Sequence, residues 1–254
     1  MGAGHAHPLY RPGDSAVHRL PPEVKIIAAA VGVVAIVATP RAAFGVFASY
    51  GVLLAGIWLL AGIPFGWMLR RSLIETPFVA LAVLLPFAGD GPRIVWLGMS
   101  LSEPGLYGAW NILVKGTLGV LTSLTLAGTT PLRDLLLGLQ RLRAPNMVLT
   151  IATLMLRYVD VITGEAHRMR LARISRGHDP RFLWQVGATA RGIGALFVRS
   201  YERGERVHLA MLSRGWTAAM PQLGERHTTG RQWLAGLAPA ALATGLALTG
   251  WMLV

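Results

Sequence analysis

Five long apolar stretches restrict this chain more than any other feature: Ile26 to Thr39, Ala42 to Ile63, Thr76 to Ala88, Gly105 to Gly128 and Trp233 to Val254. None of them contains an Asp or a Glu. A bilayer core takes about 20 apolar residues per helix. The second, fourth and fifth stretches reach that length directly, whereas the first and third need help from Pro22 to Lys25 and from Arg71 to Glu75, or a locally thinned bilayer. In hydrocarbon, backbone N–H and C=O groups must be satisfied inside the segment, so runs like these specify helices. The expected fold class is all-α: a polytopic membrane protein with about five transmembrane helices and a cytoplasmic helical segment before the last span. At 53% hydrophobic and 14% charged, the composition agrees.

The formal charge of +12 is almost entirely arginine, because Lys25 and Lys115 are the only lysines. Arginine offers planar, forked hydrogen bonds that lysine lacks, although a GC-rich genome raises arginine too, and composition alone leaves both causes open. A basic chain can serve nucleic acid or an anionic membrane surface. The apolar stretches decide for the lipid bilayer, with no nucleic acid partner. Sixteen Lys and Arg fall in residues 129 to 231, three in the N-terminal segment and two at Arg70 and Arg71, against only Arg41 and Arg93 on the opposite side. The positive-inside tendency then places the N-terminus and residues 129 to 231 in the cytoplasm and the C-terminus outside. The expected organisation is a cytoplasmic segment over 1–25, four spans over 26–128, cytoplasmic helices over 129–231 and a fifth span over 232–254. The first two dozen residues are polar and carry no signal-peptide pattern. Turn residues around two short extended runs predict a small hairpin or loop between Gly89 and Pro104.

Residues 129 to 231 are basic but not tail-like. Leucines at 132, 135, 136, 139 and 142 recur at helical spacing, with Pro131 before and Pro145 after. A long helix is predicted over 146 to 176, apolar through Leu156 and charged beyond it. A third helical stretch runs from about Phe182 to Arg214, and Gly187, Gly192, Gly194 and Gly204 leave one helix or two open. Inside this segment one pattern appears twice, LARISRG at 171 to 177 and LAMLSRG at 209 to 215. Glycine after a last turn can take the left-handed conformation that closes a helix, and an arginine there suits the helix dipole. Each copy alone is an ordinary helix stop. Two copies with five identical positions in one basic segment point to a paired purpose.

Several chemistries have no residues to carry them. There is no phosphate-binding Gly-x-x-x-x-Gly-Lys-Ser/Thr loop, no Gly-x-Ser-x-Gly, no His-Glu-x-x-His and no cysteine. No catalytic residue, cofactor site or metal ligand is assigned, and the chain is expected not to be an enzyme. His5 and His7 could touch a metal but have no carboxylate support. Lys115 is the lone ionisable residue within a span. It is either functional or an amine satisfied by a backbone carbonyl or by Asn111. A secondary carrier or channel would need a polar pathway, and a coupled carrier usually an intramembrane carboxylate. A membrane-embedded enzyme would need clustered histidines and carboxylates.

Five apolar stretches, a basic helical segment before the last of them, and the two Ser-Arg-Gly helix ends together resemble the transmembrane T component of energy-coupling factor (ECF) transporters, the CbiQ/EcfT family. GLQRLRAPNMVLTIATLMLRY (138 to 158) is similar to that family's passage into its first long coupling helix. SAVHRLPPEVKI (15 to 26) is similar to its entry into the first span and looks most like the cobalt-type branch. The resemblance implies that Ser175, Arg176 and Gly177, and Ser213, Arg214 and Gly215, dock on two ATP-binding ATPase subunits, with serine where the family has alanine. It further implies a separate membrane subunit that binds the substrate, a site in the bacterial cytoplasmic membrane, and cobalt as the cargo, with nickel or a vitamin as alternatives.

Overall fold

The computed structural model describes residues 9–88, 92–96, 99–177, 186–216 and 228–252. Each of the five apolar stretches forms a helix. After a short α1 (Ala16–Arg19) come α2 (Pro22–Ala38), α3 (Phe44–Ala61), α4 (Phe65–Ser72) and, following a 3-10 turn at Leu73–Glu75, α5 (Thr76–Ala88). Strands β1 (Arg93–Trp96) and β2 (Met99–Ser102) pair antiparallel with Arg93 opposite Ser102, so the expected hairpin is present. Helices α6 (Glu103–Thr129), α7 (Leu132–Arg141), α8 (Asn146–Ser175), α9 (Gly187–Ser213) and α10 (Gly230–Met252) complete the chain. The protein is an all-α polytopic membrane protein with one small hairpin. The four glycines do not divide α9, which runs unbroken.

Among the described residues, α3, α6, α8 and α10 are long and apolar enough to cross a bilayer. Helices α2 and α5 have 17 and 13 residues. Helix α8 lies within the segment expected in the cytoplasm. Its first half carries exposed Met147, Val148, Ile151 and Met155, and its second half carries Glu165, Arg168, Arg170 and Arg173.

The described residues divide into two compact units, one comprising those within 9–139 together with 228–252 and the other 140–177 together with 186–216. In the first, α2 packs along α10 and α6, α5 along α6, and α3 against both α6 and α10. Gly236 on α10 lies so close to Val24 on α2 that a Cβ there would overlap it. Buried polar side chains of this unit join neighbouring helices. Trp58 Nε1 donates to Thr125 Oγ1 at 2.7 Å, joining α3 to α6, and the hydroxyl of Tyr50 lies 3.0 Å from both Thr39 Oγ1 and the Ala243 carbonyl oxygen.

The end of α2 shows how much backbone must be satisfied there, since the last four carbonyls of any helix lack intrahelical partners. Ala35 accepts from the backbone N–H of Thr39 and, at 2.8 Å, from its hydroxyl, while Ile36 accepts from the same N–H. Val37 accepts from Lys115 Nζ at 2.7 Å and Ala38 from Trp251 Nε1 at 2.9 Å. Lys115 thus reaches a backbone carbonyl, where its charge also faces the negative end of the α2 dipole.

Two stretches singled out by the sequence meet at the start of α2. Lys25 Nζ donates to the carbonyls of His18 (3.2 Å) and Thr129 (3.1 Å) and to the hydroxyl of Thr130 (3.2 Å), which pins the entry of α2 to the end of α6. Gly138 of α7 lies against the same turn, where a Cβ would come within 3.0 Å of the Glu23 nitrogen. Any larger residue at 138 would push α7 off α2.

Candidate functional site

The second unit is built on α8 and α9. Glu165 of α8 accepts from Arg199 Nη1 at 3.1 Å and from Arg203 Nη2 at 3.0 Å, both on α9. These arginines hold the Glu165 carboxyl below its ordinary range, the hydrogen bond from Arg199 contributing most. About two turns further along α8, Arg173 lies beside Gly192 of α9. In the other direction, Met147, Ile151 and Met155 share an apolar groove with Val207, Met211 and Trp216. Rising numbers on α8 therefore meet falling numbers on α9, and the helices run antiparallel. Their C-termini, and with them the two Ser-Arg-Gly motifs, point to opposite ends of the pair. At 1.5 Å rise per residue from the Glu165 crossing, the motifs are separated by on the order of 30 Å.

The two motifs end their helices in the same way, bond for bond. Ser175 Oγ donates to the Ala172 carbonyl at 3.1 Å, and Ser213 Oγ to the Ala210 carbonyl at 3.0 Å. Gly177 N–H donates to Ile174 and Gly215 N–H to Leu212, both at 2.9 Å, while the Arg176 and Arg214 N–H groups donate to Arg173 and Met211, both at 3.1 Å. The glycines have φ of 77° and 75°, in the left-handed region. In the second copy, Trp216 N–H also reaches the Met211 carbonyl at 3.0 Å, which completes a Schellman turn. Identical sequence gives identical geometry because each position has one job: serine takes a spare carbonyl, glycine supplies the φ, and arginine is left as the last side chain before the reversal.

Arg176 and Arg214 are both exposed, and neither has an ion-pair partner among the described residues. Among the described residues, each presents an unpaired guanidinium from its helix end. What the arrangement offers chemically is recognition of a planar acceptor pair such as a carboxylate. His5 and His7 lie outside the described residues, as do the residues after Gly177 in the α8–α9 connection. Among the described residues, no three His, Asp or Glu side chains gather where a metal ion could sit.

Sequence reasoning did not find the Glu165 clamp, although Glu165, Arg199 and Arg203 all lie in the segment it singled out. Their pairing needs the antiparallel register of two helices joined by a dozen residues, which no local pattern encodes. The basic face of α8 that includes Arg173 was likewise hidden within a general surplus of arginine.

Comparison with known proteins fits this geometry. A family model described as cobalt transport protein CbiQ matches residues 13–223, which include both motifs, the α8–α9 pair and all the helices before it. The cobalt transport protein CbiQ of Rhodobacter capsulatus is 30% identical over 175 residues, covering 68% of this chain and 70% of that protein. An energy-coupling factor transporter transmembrane protein EcfT from Bacillus selenitireducens is 30% identical over 239 residues, covering 88% of this chain and 86% of that one. A putative fused cobalt transport protein CbiMQ from Methanocorpusculum labreanum is 29% identical over 157 residues, which is 55% of this chain but only 26% of the relative. The chain, with its apolar helices and its twice-written helix end, belongs to the CbiQ cobalt transport protein family.

Proposed function

We propose that this chain is the transmembrane coupling subunit of an ATP-driven, ECF-type importer. Arg176 with Ser175 and Gly177 docks one ATPase subunit, and Arg214 with Ser213 and Gly215 docks a second. The observation that carries this reading is the pair of identically bonded helix ends at opposite ends of α8 and α9. A separation on the order of 30 Å is too great for one small groove and suits one groove on each of two similar partners. The chain has no phosphate-binding loop, so its energy must come from those partners.

In this reading residues 1–25 and 129–231 are cytoplasmic, residues 26–128 supply four spans, residues 232–254 supply the fifth, and the C-terminus is external. A separate membrane subunit binds the substrate. The apolar groove between the first half of α8 and the second half of α9, about 770 Å³ and lined by Met147, Ile151, Met155 and Trp216 among others, offers that subunit a contact surface. A fused relative, described as CbiMQ, of which the stretch matched to this chain is only 26%, supports such a pairing. Cobalt is the proposed cargo, because the family and two of these relatives are described by cobalt transport.

Co-expression with an ATPase pair and a substrate-binding membrane protein of the ECF type tests the proposal. Copurification with the ATPase, cobalt uptake only with all components present, and no ATP hydrolysis by the isolated chain are the expected results. Hydrolysis by the pure chain, or uptake without any ATPase, would overturn it.

A further inference from the structure

Arg203 stands 38 positions after Glu165, its partner across the helix pair. The same offset separates Arg214 from Arg176 and carries LARISRG onto LAMLSRG. Glu165 and Arg203 are thus one position of the repeated pattern, written once on α8 and once on α9 and bonded to itself. Antiparallel helices that meet at their own equivalent positions are related by a local two-fold axis through the meeting point. A second contact agrees with that axis. Arg173 lies beside Gly192 on one side of the bridge, and the equivalent positions, Met211 and Leu154, line a single groove on the other.

The axis has a metric consequence. Arg176 follows Glu165 by 11 positions and Arg214 follows Arg203 by 11, so each arginine stands roughly 16 Å from the axis along its own helix. A slip of one turn between the helices would make these arms unequal by about 5.4 Å. Continuous packing does not hold the register, because clefts of about 680 and 770 Å³ open between the helices on the two sides of the bridge. The bridge itself can hold it. Glu165 Oε1 accepts from Arg199 and Oε2 from Arg203, so two successive turns of α9 grip the two oxygens of one carboxylate. That carboxylate is recessed, its side chain 14% exposed against 57% for Glu202, whose ion pair with Arg206 lies within α9.

We infer that Glu165 is a positioning residue that sets the spacing and equivalence of Arg176 and Arg214, so that two like partners are engaged at once. The inference rests on the docking role proposed above for those arginines. A pair of ATPase subunits gripped at two points gains affinity from the second contact only if the geometry lets both form together. Losing Glu165 leaves each Ser-Arg-Gly end intact and removes the match between them.

The test uses the full chain in detergent, with spin labels at I174C and L212C, two exposed and equivalent positions in a chain that has no cysteine of its own. The distance between the labels is measured on the chain alone, and binding of an ECF-type ATPase pair is titrated on the unlabelled chain. Wild type should give one narrow distance on the order of 30 Å. E165R sets a like charge against Arg199 and Arg203, and should shift or broaden that distance and weaken ATPase binding by at least about tenfold. E165Q, which removes the bridge without adding a charge, should change both readouts in the same direction and serves if E165R does not assemble. The swapped pair E165R/R203E should recover both, whereas E202R, the same charge change at an exposed carboxylate of α9, should alter neither. Wild-type distances and binding in E165R and E165Q, or a swapped pair no better than E165R, would overturn the inference. R176E/R214E reads the docking role separately. If it binds no ATPase while E165R binds as wild type does, docking stands and the positioning role falls; if it binds ATPase normally, the docking role falls and this inference with it.

Discussion

Replacing Gly215 by Ala isolates the backbone contribution to the second motif. A Cβ at 215 would meet nothing within 4 Å, so no clash arises and the whole cost comes from φ, which is 75°. Holding an L-residue in the left-handed region costs roughly 1–2 kcal/mol relative to its preferred conformation. That energy is taken from the two bonds the turn makes, Gly215 N–H to Leu212 and Trp216 N–H to Met211. The closed turn should lose about 5- to 30-fold in population relative to frayed forms, since about 1.4 kcal/mol is a factor of ten. Asn tolerates the left-handed region better, so G215N should recover most of the loss. Hydrogen exchange of peptides covering 209 to 216 is the assay. Faster exchange at the 215 and 216 amides in G215A, partial recovery in G215N, and unchanged exchange in the membrane helices are expected. Exchange in G215A equal to wild type, or G215N as fast as G215A, would refute the claim that a left-handed residue positions Arg214.

Three further outcomes follow from the same geometry. The buried bond from Trp58 to Thr125 should give a coupling of about 0.5–2 kcal/mol in a W58F/T125V double-mutant cycle read by unfolding in detergent, between the cost of an unpaired buried donor and the smaller mean for membrane hydrogen bonds; a coupling of zero would mean the bond adds nothing. Glu165 is held below its ordinary carboxylate range by Arg199 and Arg203, so the clamp's contribution is present above the unfolded-state value and is lost as pH falls through the lower folded-state one. E165Q should remove that acid dependence from hydrogen exchange in α8 and α9, and an unchanged profile would count against the clamp. Reporter fusions after Arg143 and after Val254 should report opposite sides of the membrane, cytoplasmic and external; the same side for both would rule out the five-span topology.

The sequence made the helices legible wherever periodicity or apolar length was unambiguous. Helix α8 was expected over 146 to 176 and forms over Asn146–Ser175, and both glycine stops fall where the pattern places them. Helix α9 was harder to read, because glycine propensity is a local cost of about 1 kcal/mol each. The helix nevertheless runs unbroken, with Gly192 against α8 and Arg199 and Arg203 bonded to Glu165, contacts that lie outside any local pattern. What no pattern could reveal is contact between distant residues. The carbonyl caps on α2 come from Lys115 and Trp251, 78 and 213 positions away, and the Lys25 clamp reaches Thr129 across 104. Of the candidate site, the motifs were legible and their conformation followed from glycine chemistry, but their placement at opposite ends of an antiparallel pair needed the helix register. The two buried Arg173 donors that find no partner among the described residues were invisible for the same reason, Arg173 being one arginine among many until Gly192 is set opposite it.

The proposal that two arginines dock two ATPase subunits is tested most directly by quantifying ATPase copurification for R176K/R214K and R176E/R214E beside wild type. Lysine keeps the charge at each helix end and so preserves a simple helix stop, but it loses the forked hydrogen bonds. Breaking a buried charge pair at an interface costs on the order of 2–5 kcal/mol. The account predicts markedly weakened copurification with R176K/R214K, none with R176E/R214E, and a membrane fold that survives in both, as judged by extraction yield and melting temperature. Wild-type copurification and uptake by R176E/R214E would contradict it and leave Arg176 and Arg214 as helix stops alone.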